Sequence, residues 1–210
     1  MSSFLHLIDQ IKQTFSNYEI FNIFQSNKII LLFLIETKVL TIDEKIYHEI
    51  MNKQELNGLQ YFHFFIPEMK EFIGEENFKD IETEIISQNP QIYDNYEQKR
   101  KIGENDSYIC SLIRQDSIEE FIIYINKTNY PITNQIKPSI FETNLFLIEN
   151  TPTIIEYAFY FGSIQIINYL ILNKVKLTSS LNVYSIHSNN SEAIYLLQSN
   201  DIEHFSKSYE

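Results

Sequence analysis

The scarcity of several residue types narrows the class of this protein. The single cysteine, Cys110, excludes an intrachain disulfide, and a reducing compartment is the default for such a chain. Only 4 glycines and 5 prolines occur in 210 residues, which is too few for a loop-rich β sandwich and suits a helical protein. The longest apolar run, Ile29 to Ile35, is far shorter than the about 20 residues that cross a bilayer. We therefore expect an all-α protein without a membrane partner.

Basic residues are scarce as well. The chain has 16 Lys and Arg against 28 Asp and Glu, a formal net charge of −12. Such a chain repels phosphate backbones, so we expect no nucleic-acid partner. The basic run Lys99-Arg100-Lys101 lies between Glu97 and Glu104, and we interpret it as a solvated helix end. The N-terminal residues lack the basic start and apolar core of a signal peptide, so the expected location is the cytoplasm.

The first half of the chain predicts a helical block without a detectable repeat. Apolar residues recur at helical spacing, and the sequence Thr41-Ile-Asp-Glu44 has the form of a capping box. Pro67 suits the first position of a helix, and Gly74 suits its end. The predicted helices include Phe4 to Phe15, Tyr18 to Gln25, Ile29 to Leu40, one starting near Ile42 that buries Ile46, Ile50 and Met51, and one from Pro67 to Gly74.

The second half contains internal similarity. The segment Gly162 to Ile171 aligns with Asp116 to Ile125, 46 residues earlier, and with Asn189 to Gln198, 27 residues later. The longer spacing predicts an elaborated loop over residues 127–150, with a short helix from Asn144 to Ile148. The central stretch, Thr153 to Val175, predicts two short antiparallel helices joined by a tight turn at Gly162, where a left-handed backbone is expected.

This central stretch carries a resemblance to a known family. Thr153-Ile-Ile-Glu-Tyr-Ala158 resembles the ankyrin opening T-P-L-H-x-A, with Glu156 in place of the histidine and with Thr153 and Glu156 forming a capping-box pair. The runs KRKIGENDSYICSLIRQDSIEEF and SIFETNLFLIENTPTIIEYAFYFGSIQIINYL are similar to ankyrin-like proteins of unknown function from parasitic protists. The resemblance implies a helical N-terminal region of residues 1–105 and degenerate repeats over 106–200 (about 107–130, 151–177 and 179–200), followed by a tail of 201–210.

The resemblance also implies a binding surface. In an ankyrin repeat, the positions just before, and two and three after, the first alanine face the concave side. Counting from Ala158, Leu112 and Ser185 gives three residues in each repeat. The implied partner-binding residues are Tyr157, Tyr160 and Phe161, then Ser111, Arg114 and Gln115, then Tyr184, His187 and Ser188. The alternative is that the aromatic rings pack against the elaborated 127–150 loop.

No pattern in the sequence declares a catalytic activity. The five histidines show no metal-ligand spacing, and Cys110 is interpreted as a buried thiol in the first repeat helix. Capping explains Glu119 and Glu120, which follow Ser117 in the first turn of a helix. We therefore expect a monomeric, non-enzymatic protein-interaction module that needs no cofactor or metal. Two alternatives stay open: an enzyme or enzyme subunit with its site in residues 1–105, and a remnant without a partner of its own.

The N-terminal block is expected to act as a cap. An end repeat exposes its apolar flank unless something covers it. The residues assigned to this flank are Ile109, Leu112, Ile113 and Phe121.

Overall fold

The computed structural model describes residues 8, 10–52, 58–75, 78–81, 83 and 93–199. These residues form helices and connecting loops, and no strand is present among them. One isolated antiparallel bridge joins Gln135 to Thr153. The all-α prediction is confirmed. Within the same described ranges, no helix has the length and apolar character needed to cross a membrane.

The chain divides into two compact units. The described residues within 1–104 and 139–148 belong to the first unit, and those within 105–138 and 149–199 belong to the second. The described helices of the first unit include α1 (Asn17–Phe24), α2 (Lys28–Glu36), α3 (Glu44–Asn52), α4 (Gly58–Phe64), α5 (Ile66–Ile73) and α6 (Tyr96–Ile102). A further helix, α9 (Leu145–Asn150), contains the point after Ile148 at which the chain passes from the first unit to the second. It confirms the short helix predicted from Asn144 to Ile148.

Local capping decides where the first helices begin and end. Helix α1 starts at a capping box formed by Ser16 and Glu19. Helix α2 ends at Glu36, before the predicted end at Leu40, because Lys38 takes a left-handed conformation with φ of 57°. The apolar residues that follow it, Val39 and Leu40, are buried in a loop. Of the helix predicted from Phe4 to Phe15, residues 10–14 are helical, and residues 1–7 and 9 lie outside the described residues.

The capping box predicted at Thr41 is wrong. Helix α3 begins at Glu44, and the side chain of Asp43 accepts a hydrogen bond from the Ile46 amide at 2.9 Å. Asp43 therefore caps this helix, because its carboxylate reaches an amide of the first turn that has no partner within the helix. Ile46 and Ile50 are buried as predicted. The prediction fails for Met51, which is 42% exposed.

The core of the first unit is apolar and rich in rings. Helix α3 packs against α1, α4 and α5, and α1 packs against α2. The α5 helix has Pro67 in its first turn and ends at Gly74, as predicted. The most deeply buried side chains of this core include Ile20, Phe21, Leu31, Leu40, Ile46, Phe64, Phe65 and Met69.

One member of the basic run, Arg100, lies inside this unit, so the prediction of a solvated run is wrong for that residue. Arg100 is fully buried, and its guanidinium donates to Glu68 at 2.6 Å and to Glu97 at 3.2 Å. The guanidinium also lies 5.3 Å from the ring centre of Phe64 and 5.6 Å from that of Tyr96. Burial raises the pKa of Glu68, although the charge of Arg100 opposes that shift. Arg100 therefore belongs to a structural ion pair, because the carboxylates of Glu68 and Glu97 neutralise its charge inside the unit.

The described residues of the second unit form three consecutive helix pairs. Within each pair the two helices pack together, and the first helices of successive pairs also pack against each other. The second helices of the first two pairs are in contact as well. The pairs are α7 (Tyr108–Arg114) with α8 (Ile118–Thr128), α10 (Ile154–Phe161) with α11 (Ile164–Leu172), and α12 (Leu181–Ser188) with α13 (Ser191–Ser199).

Each pair turns at a left-handed residue. Asp116, Gly162 and Asn189 have φ of 50°, 67° and 50°. The left-handed backbone predicted at Gly162 is confirmed. The three positions are those that the internal alignment places opposite each other, so the structure supports the alignment of the three segments.

Hydrogen bonds connect the turns of neighbouring pairs. The carboxylate of Asp116 accepts from the Gln165 and Ile166 amides, each at 3.0 Å, and so caps α11 from the preceding pair. The buried Ser163 hydroxyl donates to the carbonyl of Ile113. At the next junction the amide side chain of Asn190 donates to the carbonyl of Gly162 at 3.2 Å. These bonds satisfy helix-end groups that have no partner within their own helix.

A capping box begins the central pair. Thr153 and Glu156 exchange the predicted bonds, with the Glu156 carboxylate accepting from the Thr153 amide at 2.8 Å. The other carboxylate oxygen of Glu156 accepts from the Ser180 hydroxyl at 2.7 Å. Glu156 therefore links the second and third pairs in addition to capping α10.

Two further predictions concern the first pair. Cys110 is fully buried in α7, as predicted. Ile113 and Phe121 contact the second pair, because the Ser163 hydroxyl donates to the Ile113 carbonyl and the Phe121 ring lies 6.1 Å from that of Tyr169 in α11. Their assignment to a flank covered by residues 1–105 stays a prediction.

Candidate binding surface on the helix pairs

The nine residues implied by the resemblance lie on or beside the first helices α7, α10 and α12. Gln115 and His187 are exposed. Ser111, Arg114, Tyr160, Phe161 and Ser188 are partly exposed. Tyr157 and Tyr184 are buried, at 1% and 4% exposure. The structure thus places seven of the nine where at least part of the side chain reaches the surface, and two in the interior.

Three rings from two neighbouring helices come together at the C-terminal ends of these helices. Tyr160 and Phe161 of α10 meet edge to face, with 5.0 Å between ring centres. The imidazole of His187 in α12 stacks on Tyr160, at 5.2 Å and 29° between planes. We call Tyr160, Phe161 and His187 the aromatic patch. It is continuous across two helix pairs because α10 and α12 pack side by side.

Buried Tyr157 supports the patch from below. Its ring lies 4.7 Å from that of Phe161, and its hydroxyl accepts a hydrogen bond from the Arg114 guanidinium at 2.7 Å. The same nitrogen of Arg114 donates to the carbonyl of Asn105 at 2.9 Å. Arg114 is therefore held in place by the Asn105 carbonyl and by Tyr157, whose ring contacts Phe161 of the patch.

Tyr184 occupies an interior position in α12. Burial, together with the nearby Glu156 carboxylate, raises the pKa of the Tyr184 hydroxyl to about 12. This ring stays neutral through the physiological range and packs inside the unit. The sequence rule that selected Tyr157 and Tyr184 depends on repeat position alone. That rule does not include their interactions with residues distant in sequence, such as Arg114 with Tyr157 and Glu156 with Tyr184.

The smaller polar members have partners within their own helices. The hydroxyl of Ser111 donates to the Tyr108 carbonyl at 2.7 Å, and that of Ser188 donates to the Ser185 carbonyl at 2.6 Å. Both serines lie within one helical turn of larger side chains. Each contributes a small polar group to the rim of the surface, and neither contributes a charge or an aromatic ring.

Part of the elaborated loop contacts the opposite end of α10. The Ile136 amide donates to the Pro152 carbonyl at 2.7 Å, and the Ile154 amide donates to the Asn134 carbonyl at 3.0 Å. Ile154 begins α10, whereas Phe161 ends it. Residues 134–136 therefore meet the start of the helix, and these contacts do not involve the aromatic patch.

The alternative of an enzyme would need convergent polar groups in the first unit. The crevice found there is lined by apolar side chains and has no room for a water molecule. Its lining residues are Phe21, Leu31, Ile35, Leu40, Ile42, Ile50 and Phe65. Among the described residues, no group of three or more metal-binding side chains comes together. The described part of the first unit thus offers no observation that favours a particular reaction.

Comparison with known proteins gave no match: no family model, no curated protein and no solved structure corresponds to this chain.

Proposed function

We propose that the second unit is an ankyrin-like stack that binds a protein partner through the aromatic patch and Arg114. Support for the ankyrin-like arrangement comes from three helix pairs with left-handed turns at aligned positions and with adjacent first helices. Stacked pairs of this kind create an extended surface to which several repeats contribute.

The observation that carries the binding role is the contact of His187 with Tyr160. It joins two successive pairs into one partly exposed aromatic surface, with Phe161 beside it. Tyrosine, phenylalanine and arginine are enriched in the cores of protein interfaces, and a few such residues contribute most of the binding energy. A partner that buries these rings gains apolar contact, and Arg114 at the edge favours a carboxylate or carbonyl in that partner.

The test uses crosslinking from the surface itself. A photoreactive amino acid replaces Gln115, which is exposed next to Arg114. The expected result is one specific crosslinked protein from native lysate, lost in the double variant Tyr160→Ala, Phe161→Ala. Removing two interface rings weakens binding by about 2 kcal/mol or more, which is about 30-fold.

The matched control is Tyr108→Ala. Tyr108 is 54% exposed in α7 and lies outside the proposed surface. The control should retain the crosslink, and thermal unfolding should show that both variants stay folded. A crosslink that survives in the double variant, or that Tyr108→Ala removes equally, would refute the proposed binding surface.

A further inference from the structure

The chain between the first and second helix pairs returns to the first unit over residues 139–148, which we call the inserted segment. Phe141 of this segment is 1% exposed and forms part of the apolar core of the first unit. Its ring meets the edge of the Tyr96 ring, with 5.4 Å between ring centres, and the Lys99 amine lies 5.3 Å from the Phe141 ring centre. A phenylalanine from a connecting loop is therefore buried in a unit whose other described residues precede residue 105.

Hydrogen bonds to main-chain carbonyls hold the inserted segment in place. The Lys28 amine donates to the Ile140 carbonyl at 3.0 Å. The Gly103 carbonyl accepts from the Thr143 hydroxyl at 2.8 Å and from the Thr143 amide at 3.1 Å. A side chain at Gly103 has no room there, because a Cβ would lie 2.8 Å from the Thr143 hydroxyl oxygen. We call the residues that make these contacts with the segment the acceptor site: Lys28, Tyr96, Lys99 and Gly103.

The inserted segment also contains hydrogen bonds of its own. The Ser139 hydroxyl accepts from the Phe141 amide at 3.1 Å. The Glu142 carboxylate accepts from the Thr143 amide at 3.0 Å and from the Asn144 amide at 2.9 Å. All of these bonds lie within the segment, so they can form in a separate peptide of the same sequence. A ligand that is preorganised in this way loses less entropy when it binds.

Two features oppose the docking of the inserted segment. Lys28 and Glu142 are 5% and 6% exposed, and moving charged groups out of water is unfavourable. Burial lowers the pKa of the Lys28 amine to about 8, and the Glu142 carboxylate offsets this effect only in part. Just beyond the segment, Thr151 has φ of 39° although it is β-branched and precedes a proline. Strain of this kind persists only where the surroundings enforce it, and it is found at switch regions.

We propose that the inserted segment is an intramolecular ligand that fills a peptide-binding site of the first unit. The acceptor site recognises an aromatic residue followed by an acid and a threonine, as in Phe141-Glu142-Thr143. The attached segment excludes a partner protein that carries the same pattern, because attachment at both ends gives the segment a high effective concentration at the site. Such a partner binds when the segment is released. The acceptor site shares no residue with the aromatic patch.

The experiment measures, by fluorescence anisotropy, how a labelled peptide with the sequence of residues 138–149 binds to the full chain. The unchanged chain should bind the peptide weakly, because its own segment competes for the site. Thr143→Val in the chain removes the hydroxyl that bonds to Gly103, so the peptide should bind about fivefold more tightly. Phe141→Ala in the chain removes the buried ring, and the gain in affinity should be roughly 100-fold.

The matched control is Thr128→Val in α8. Thr128 is exposed, and its hydroxyl donates to the Tyr124 carbonyl of its own helix. This variant should bind the peptide as weakly as the unchanged chain does, and a peptide with alanine in place of Phe141 should bind to none of the chains.

Circular dichroism should show unchanged helix content in Thr143→Val, because valine has nearly the shape of threonine. If Phe141→Ala loses helix content, the comparison of Thr143→Val with Thr128→Val decides alone. Equal peptide affinity for the unchanged chain and Thr143→Val, or the same gain in Thr128→Val, would overturn the proposal.

Discussion

Replacing Gly162 with valine probes the turn on which the alignment of the helix pairs rests. Gly162 has φ of 67°, and a Cβ added there would lie 2.9 Å from the Asn190 amide nitrogen and 3.0 Å from the Asn190 Cβ. A left-handed backbone disfavours a residue with a side chain by about 1–2 kcal/mol. Asn190 must also move away, which breaks its hydrogen bond to the Gly162 carbonyl.

The strained backbone and the lost hydrogen bond both destabilise the folded state. Losing the hydrogen bond costs about 1 kcal/mol, so the free energy of unfolding should fall by about 2–3 kcal/mol in Gly162→Val. For a chain of this size the midpoint of thermal unfolding should fall by roughly 5–10 °C. The assay is urea and thermal unfolding followed by circular dichroism.

Asn189→Gly supplies the matched comparison at the next turn. Asn189 also has positive φ, 50°, and its side chain is exposed. Glycine removes the left-handed strain but adds freedom to the unfolded chain, so stability should change by less than about 1 kcal/mol in either direction. The reasoning fails if Gly162→Val leaves the unfolding midpoint unchanged, or if Asn189→Gly destabilises the chain as much as valine does at Gly162.

Three other predictions concern polar groups that form contacts inside the folded units. Burial lowers the pKa of Lys28 to about 8, against an opposing effect of a nearby carboxylate, so the folded state disfavours the charged amine. Between pH 8 and 10.5 the unfolded chain therefore binds more protons than the folded chain, so the free energy of unfolding rises with pH. Over that interval it should rise by about 3 kcal/mol relative to the variant Lys28→Met. Parallel pH profiles of the two proteins in urea unfolding would contradict this. Arg100→Ala should destabilise the protein by about 3 kcal/mol or more in urea unfolding, because it leaves Glu68 without its buried partner. Glu97→Gln changes a largely exposed partner and should change stability by less than about 1 kcal/mol. Similar values for the two variants would contradict a stabilising buried ion pair. Ser180→Ala removes the donor to Glu156 and should cost about 1 kcal/mol in the same assay, and an unchanged value would mean that this bond adds nothing to the junction.

Features that depend on neighbours in sequence could be predicted. The turn at Gly162 and the capping box at Thr153 and Glu156 each follow from a few adjacent residues, because backbone strain and helix-end amides are local. The early end of α2 was missed because Lys38 has no residue-type signal for a left-handed conformation. Val39 and Leu40 then continue the apolar pattern as a buried loop.

Features that depend on distant contacts could not be predicted. The burial of Arg100 requires Glu68, which is 32 residues earlier in the chain. Likewise, Tyr157 is held by Arg114, 43 residues away. Repeat position alone selected Tyr157 and Tyr160 equally, yet the first is interior and the second reaches the surface. The contact between Tyr160 and His187 shows that the same rule can still bring residues of two pairs together.

The hydrogen bonds between turns have a consequence for how this sequence can change over evolution. They join successive pairs at their turns, whereas the connecting segments leave from the other ends of the helices. One connection, residues 129–153, is therefore free to be about three times as long as the other, residues 173–180, while the turns still meet at both junctions. The entropy of closing a loop grows only with the logarithm of its length, so inserted residues are thermodynamically inexpensive there. Length variation among descendants of this chain should accumulate in residues 129–133, because residues 134–136 bond to the start of α10 and residues 139–148 belong to the first unit. No insertion should occur between Asp116 and Ser117 or between Gly162 and Ser163.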